Sequence, residues 1–256
     1  ESLRRLNFDV LLGTDLSAAG FESLFRQADA KLPAISSVLI FYAGHGVQLQ
    51  GQNYLLPVDT PDPESMETIT AGAIKLNDVI ARFSSRERQT FLFLDSCRNN
   101  PMGSAANASN GLAQVEVGEN TFVAFATQPG NVTVDGTGAN SPFTTALLKS
   151  IEIPGLSISD MMIRVRNETE HLTLGRQVPW DQSNLREQFY FTEQQVLDLV
   201  VRILEHELHG VETVARRHAG GYEAEELGQR LGAQQLELAL VGALPLLLVG
   251  GRFLLE

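Results

Sequence analysis

The chain has 256 residues, 43% hydrophobic and 20% charged, an ordinary globular composition with room for one large domain or a domain with an appendage. With 31 acidic residues against 19 basic, its net charge of −12 is ill-suited to nucleic acid, whose binding rests on Lys and Arg against phosphates, and better suited to a cationic substrate. The single cysteine excludes an intramolecular disulfide and a multi-cysteine zinc site.

Over the first 190 residues, strand-like and helix-like runs alternate. Phe8–Leu12 reads as a short strand, and Ser17 is placed to cap a helix reaching about Lys31, with Phe21, Leu24 and Phe25 on one face. Ser37–Ala43 (SVLIFYA) is a continuous apolar run, the pattern of a strand buried on both faces. Tyr54–Val58 reads as a further strand, Leu76–Phe83 as a helix and Thr90–Leu94 (TFLFL) as another buried strand. Asn99–Asn120 is rich in Asn, Gly, Ala and Ser and reads as a loop. Thr121–Ala126 is strand-like, Ser141-Pro142 opens a helix through Ser150, Ser157–Glu170 is helical, and Gln188–Phe191 reads as a closing strand. Such alternation predicts an α/β sandwich, a mainly parallel sheet flanked by helices.

The last 65 or so residues differ in character. Thr192–His209 has helical spacing, and Gly- and Glu-rich stretches then lead to Leu238–Gly251, a run without charge. That run falls short of the roughly 20 apolar residues a membrane span needs, and Pro245 interrupts it. Residues 192–256 are therefore expected to form a mainly helical appendage to a domain spanning 1–191. No signal-peptide pattern opens the chain, so a cytoplasmic protein without membrane attachment is expected.

Chemistry concentrates in two places. The 37–43 strand runs into Gly44-His45-Gly46, and the 90–94 strand into Asp95-Ser96-Cys97-Arg98. Catalytic groups in a parallel sheet collect beyond the carboxyl ends of the strands, so neighbouring strands would bring His45 and Cys97 to one edge. A thiolate attacks a peptide carbonyl while an imidazole handles the protons. Glycines flanking His45 are expected to bend the backbone sharply there. The N–H groups of Gly46 and Cys97 are candidates for an oxyanion hole, worth roughly 3–4 kcal/mol per donor in other hydrolases.

The segment Val38–Pro101, with FYAGHG, YLLPVDTP and FLFLDSCRNNP, resembles the caspase superfamily, and most nearly its paracaspase and bacterial orthocaspase branches. His45 precedes Cys97 by 52 positions, close to the spacing of that superfamily. The likeness continues through Ala124–Thr127 and Gln177-Val178-Pro179 to Gln188–Phe191. It implies a caspase-like three-layer sandwich and a cysteine endopeptidase with His45 and Cys97 as its dyad. Caspases carry Gln two positions before the nucleophile and cut after Asp. Asp95 stands there instead, as in paracaspases, implying cleavage after Arg or Lys, with Asp135 as a second candidate acid for the substrate pocket. The family domain normally opens with a central strand, whereas this sequence starts at Glu1–Leu6, inside the helix that follows it. The sheet is thus expected to lack that strand, which favours an inactive interaction module or a fragment as the alternative. A calcium-dependent metacaspase is a further alternative, resting on Asp59, Asp62 and Glu64. The resemblance implies a protein or peptide substrate with a basic P1 residue, and leaves a homodimer open.

Other motifs lead nowhere. His206-Glu207-Leu208-His209 spaces its histidines three apart where the zincin helix needs four, so no metal and no cofactor are expected. His171 and His218 lack partner motifs, Arg98 is expected to pack under its loop, and Gly130–Gly138 lacks the Lys of a phosphate-binding loop.

Caspases mature by cutting the linker between their two halves. An enzyme with a basic preference finds no Lys or Arg between Asn99 and Leu148; the first after Arg98 is Lys149. Active protein is therefore expected to remain one chain, controlled by assembly or ligand binding. Mass spectrometry after prolonged incubation at high concentration checks this. A Cys97-dependent cut between residues 99 and 148 would contradict both the single chain and the basic preference.

Overall fold

Three strands carry the architecture because their sequences are apolar at both parities. The computed structural model describes residues 1–61, 66–97, 115–128, 136, 138–192 and 252–255. In chain order these form α1 (Ser2–Arg5), β1 (Phe8–Leu11), α2 (Ala18–Asp29), a 3-10 turn at Leu32–Ala34, β2 (Ser37–Leu49), β3 (Gln52–Leu55), α3 (Met66–Gly72) and β4 (Ile74–Lys75). There follow α4 (Leu76–Phe83), β5 (Gln89–Cys97), β6 (Thr121–Phe125), α5 (Pro142–Ile151), α6 (Ile158–Leu172), β7 (Trp180–Ser183) and β8 (Arg252–Leu255). Except for Thr192, the described residues belong to one compact unit, Glu1–Phe191 with Gly251–Glu256.

The main sheet runs β1-β8-β2-β5-β6-β7, parallel throughout except for the antiparallel β6–β7 pair. Alternate side chains of the central strands enter two separate cores. Val38, Ile40, Leu92, Leu94, Val123 and Phe125 pack with α2 and α4; Leu39, Phe91, Phe93, Phe122 and Ala124 pack with α5 and α6. The expected three-layer sandwich follows directly. Serine N-caps set the helix starts: Ser17 Oγ accepts from the Gly20 N–H at 3.1 Å, Ser141 Oγ from Thr144 at 3.0 Å and Ser157 Oγ from Asp160 at 3.2 Å.

Four features depart from the sequence reading. First, β2 does not stop at Ala43. It continues through Gly44-His45-Gly46 to Leu49 and turns back into β3 over Gln50 and Gly51, both at positive φ (51° and 76°), as a two-residue hairpin turn requires. Second, the strand that closes the sheet is β7, not Gln188–Phe191. Tyr190 makes only an isolated bridge to Ser157, while Phe189 and Phe191 are buried. Their rings meet edge to face at 5.0 Å, and Phe189 lies 4.4 Å from Phe91, so this segment is an aromatic plug for the α5–α6 core. Third, α3 and β4 were not foreseen.

Fourth, the central lane expected to be missing is filled. β8 pairs in parallel with β1 on one side (Phe8↔Arg252 to Leu11↔Leu255) and with β2 on the other (Ser37↔Arg252 to Ile40↔Leu255). The expected helical appendage over 192–256 lies outside the described residues apart from Thr192 and Arg252–Leu255, and the latter are strand. The predicted loop at 99–120 likewise lies mostly outside them. Among the described residues no helix is long and apolar enough to cross a membrane.

β8 joins two strands that have no other pairing with each other in the sheet. At about 1 kcal/mol per backbone hydrogen bond lost and about 2–4 °C per kcal/mol in a chain of this size, ending the chain at residue 250 should lower the melting temperature by roughly 10 °C or more. Thermal denaturation followed by circular dichroism measures this; an unchanged melt would mean that β8 contributes nothing to the sheet.

Candidate active site

The parallel register of β2 and β5 runs from Ser37↔Gln89 to Gly44↔Ser96 and His45↔Cys97. Residues 45 and 97, far apart in sequence, are thus cross-strand neighbours at the carboxyl end of the sheet, on strands about 4.8 Å apart. Pleating sorts their surroundings. Positions 43, 45, 95 and 97 share the face that carries Phe41 and Phe93 towards α5 and α6; Tyr42, Gly44, Gly46, Leu94 and Ser96 lie on the other. The His45 side chain is exposed.

The backbone at His45 is held from behind. Its carbonyl accepts from the Tyr42 hydroxyl at 2.6 Å and from the Leu56 N–H at 2.9 Å. Tyr42 is buried, and loss of hydration pushes its phenol up to about 12. Neither glycine beside His45 has a positive φ, so the expected sharp bend is absent. Gly44 has a different reason: a Cβ there would lie 2.6 Å from Tyr42 Oη and 2.8 Å from Cζ. At Gly46 a Cβ would meet Ser96 Oγ and the Tyr54 carbonyl at 3.4 Å, a tight but tolerable contact. The Leu56–His45 bond makes 45·56 a hydrogen-bonded antiparallel pair and 46·55 a non-bonded one. The Gly46 N–H therefore points away from β3.

Asp95 is half-buried, two positions before Cys97 on β5. Its Oδ2 accepts from the Ser141 and Thr144 hydroxyls, each at 2.5 Å. Ser141 thus caps α5 with one lone pair and grips Asp95 with its proton. Sequence reasoning found Ser141 only as a helix start and missed Thr144 and Tyr42; the hydroxyl inside the apolar SVLIFYA run was the available signal for the last. A cleft of about 1170 Å³ opens beyond Ile40, where β8 ends. Its walls include Leu12–Leu16, Tyr42–Gly46 and Leu147, but not Asp95.

Asp135, Arg98, Asp62, Glu64, His206, His209 and His218 lie outside the described residues. Asp59 accepts from the Ala18 N–H at 2.8 Å, and His171 is exposed in the last turn of α6. Among the described residues no group of three or more His, Cys, Asp or Glu side chains is gathered as a metal site.

An α/β sandwich with a histidine and a cysteine side by side at its carboxyl edge is built as a cysteine hydrolase. The Caspase domain family profile matches residues 1–190, and the chain belongs to that family. The family is one of cysteine peptidases, hydrolases whose substrates are proteins. No curated protein matches the chain.

Tyr42 provides a pH test of this backbone support. Between the ordinary phenol value of 10.0 and the folded value of about 12, the unfolded chain releases its proton while the folded chain keeps it. The stabilisation is full below this window and is lost as pH rises through it, in total about 2–3 kcal/mol. Denaturant midpoints measured across it should fall less steeply for Tyr42→Phe than for the native protein. Equal slopes would place Tyr42 in contact with water.

Proposed function

We propose that the protein is a cysteine endopeptidase in which Cys97 is the nucleophile and His45 its base, cutting after Arg or Lys. The observation that carries this reading is the register in which residue 45 stands opposite residue 97. The Cys97 thiol gives its proton to the His45 imidazole, and the sulfur attacks the substrate carbonyl carbon. The developing oxyanion takes hydrogen bonds from the N–H groups of Gly46 and Cys97; the direction of the Gly46 N–H, out of the β2–β3 ladder, supports this. As the C–N bond breaks, His45 returns the proton to the departing amine, leaving a thioester. Water, giving a proton to His45, hydrolyses the thioester and regenerates the thiol.

Specificity rests on Asp95, with Asp135 as the second acid. A carboxylate in the pocket complements a guanidinium or ammonium and repels an acidic P1 side chain. The acidic net charge of −12 favours the same substrates at long range. The case for an inactive interaction module rested on a gap in the sheet. With β8 in that lane, the strand bearing His45 is paired on both sides up to Ile40.

Cys97→Ala should abolish hydrolysis of peptides with Arg at P1, and His45→Ala should lower kcat about a hundredfold or more. Because Cys97 is the only thiol, one iodoacetamide adduct per chain should inactivate the enzyme; full activity in the alkylated protein would remove Cys97 from the mechanism. Asp95→Asn keeps an oxygen for the Ser141 and Thr144 hydroxyls while removing the charge. It should leave the melting temperature nearly unchanged yet cost about 3–5 kcal/mol, or two to three decades, in kcat/KM for Arg and Lys substrates. An undiminished basic preference in this variant would confine Asp95 to holding α5.

A further inference from the structure

We propose that Tyr42 is a positioning residue for the catalytic histidine: its hydroxyl pins the His45 peptide from the reverse face of the sheet and so aims the imidazole at the neighbouring strand. The inference rests on the His45–Cys97 reading above. His45 sits at a junction. It is the last β2 residue registered with β5, and from Gly46 onward β2 pairs with β3 instead. A residue where one ladder ends and another begins is free to twist unless something else fixes it, and a twist of the peptide swings the imidazole away from its partner.

Tyr42 supplies that fixation from a rigid base. Its ring is buried in the α2–α4 core, 6.1 Å from the ring of Phe21. Its hydroxyl reaches past residue 44 to the His45 carbonyl at 2.6 Å and lies 3.3 Å from the Leu56 carbonyl, across the hairpin. The reach depends on Gly44, since any Cβ there would occupy the hydroxyl's path. Tyr42, Gly44 and His45 thus form one device: a donor anchored in the core, a gap for it to pass through, and the carbonyl it holds. Because Tyr42 lies on the face opposite the His45 side chain, the brace leaves the imidazole unobstructed. A tyrosine serving only as core filler would be replaceable by phenylalanine without consequence for the site.

The lone thiol allows a readout that does not need substrate. The rate of Cys97 alkylation by iodoacetamide is followed against pH, giving the midpoint at which thiolate forms. In the native protein the imidazolium should hold this midpoint below the ordinary thiol value of about 8.5. His45→Ala should bring it to that value. Tyr42→Phe should move it upward by roughly half a pH unit or more and lower kcat about tenfold with KM within about twofold. Gly44→Ala, which keeps the hydroxyl but blocks its reach, should produce the same shift, and it carries the test if Tyr42→Phe does not fold. The double variant should be no worse than Gly44→Ala alone, because both remove one bond. Phe189→Ala, destabilised in the other core, should leave the midpoint in place, separating aim from general looseness. A native midpoint and kcat in Tyr42→Phe or Gly44→Ala, alongside a shifted midpoint in His45→Ala, would overturn the positioning role while sparing the dyad. No shift in His45→Ala would overturn the dyad itself, and the proposal with it.

Discussion

The parallel pairing of β2 with β5 is the constraint on which the site depends. A slip of one residue would turn every side chain of the strand to the opposite face. His45 would move to the side of the sheet where Tyr42 now lies, and Val38 and Ile40 would exchange cores with Leu39. The penalty is high because both faces of these strands are buried, so no register but the observed one keeps both cores filled. Packing energy gathered along the whole strand is thereby spent on placing a single pair of residues at its end. The chemistry needs no local rigidity of its own at that pair beyond what holds the last peptide.

The two faces divide the labour. Towards α5 and α6 lie the exposed imidazole and Asp95, whose carboxylate meets two hydroxyls at the start of α5. Towards α2 and α4 lie Tyr42 and the close approach at Gly44. Reactive groups thus occupy one surface and their backbone support the other. Asp95 also shows how one side chain serves two ends: its Oδ2 secures a helix start while its charge faces the site end of the strand.

Much of this was legible in the sequence where a single physical signal dominated. Three unbroken apolar runs marked the central strands because burial on both faces leaves no polar alternation to read. Serine followed by a helical pattern marked three helix starts for the reason that caps form. His45 and Cys97 stood out because their residue types are scarce at strand ends. Signals that opposed one another were misread. The glycines of Gly44-His45-Gly46 suggested a bend, yet an extended strand runs through them, since the missing Cβ at 44 serves a neighbouring hydroxyl. The edge strand Trp180–Ser183 is polar, so nothing in its pattern marks it, while Gln188–Phe191 looked like a strand because aromatic residues serve equally well as core plugs. β8 is too short, and follows too uncharged a run, to declare its type; only its two neighbours define it.

That last strand orders events in time. β8 lies between β1 and β2, yet it comes roughly 240 residues after β1 in the chain, so bringing them together closes a very long loop at a large entropic cost. A ribosome will have delivered β2, β5 and β6 long before the strand that separates β1 from β2 exists. Until then β2 presents an unsatisfied edge on one side, the kind of surface that other chains adhere to. Assembly of the sheet is therefore among the last steps of biosynthesis rather than the first. A nascent chain carrying both His45 and Cys97 holds the parts of the site without the finished sheet that supports them, a delay that would keep an unfinished peptidase from acting beside the ribosome.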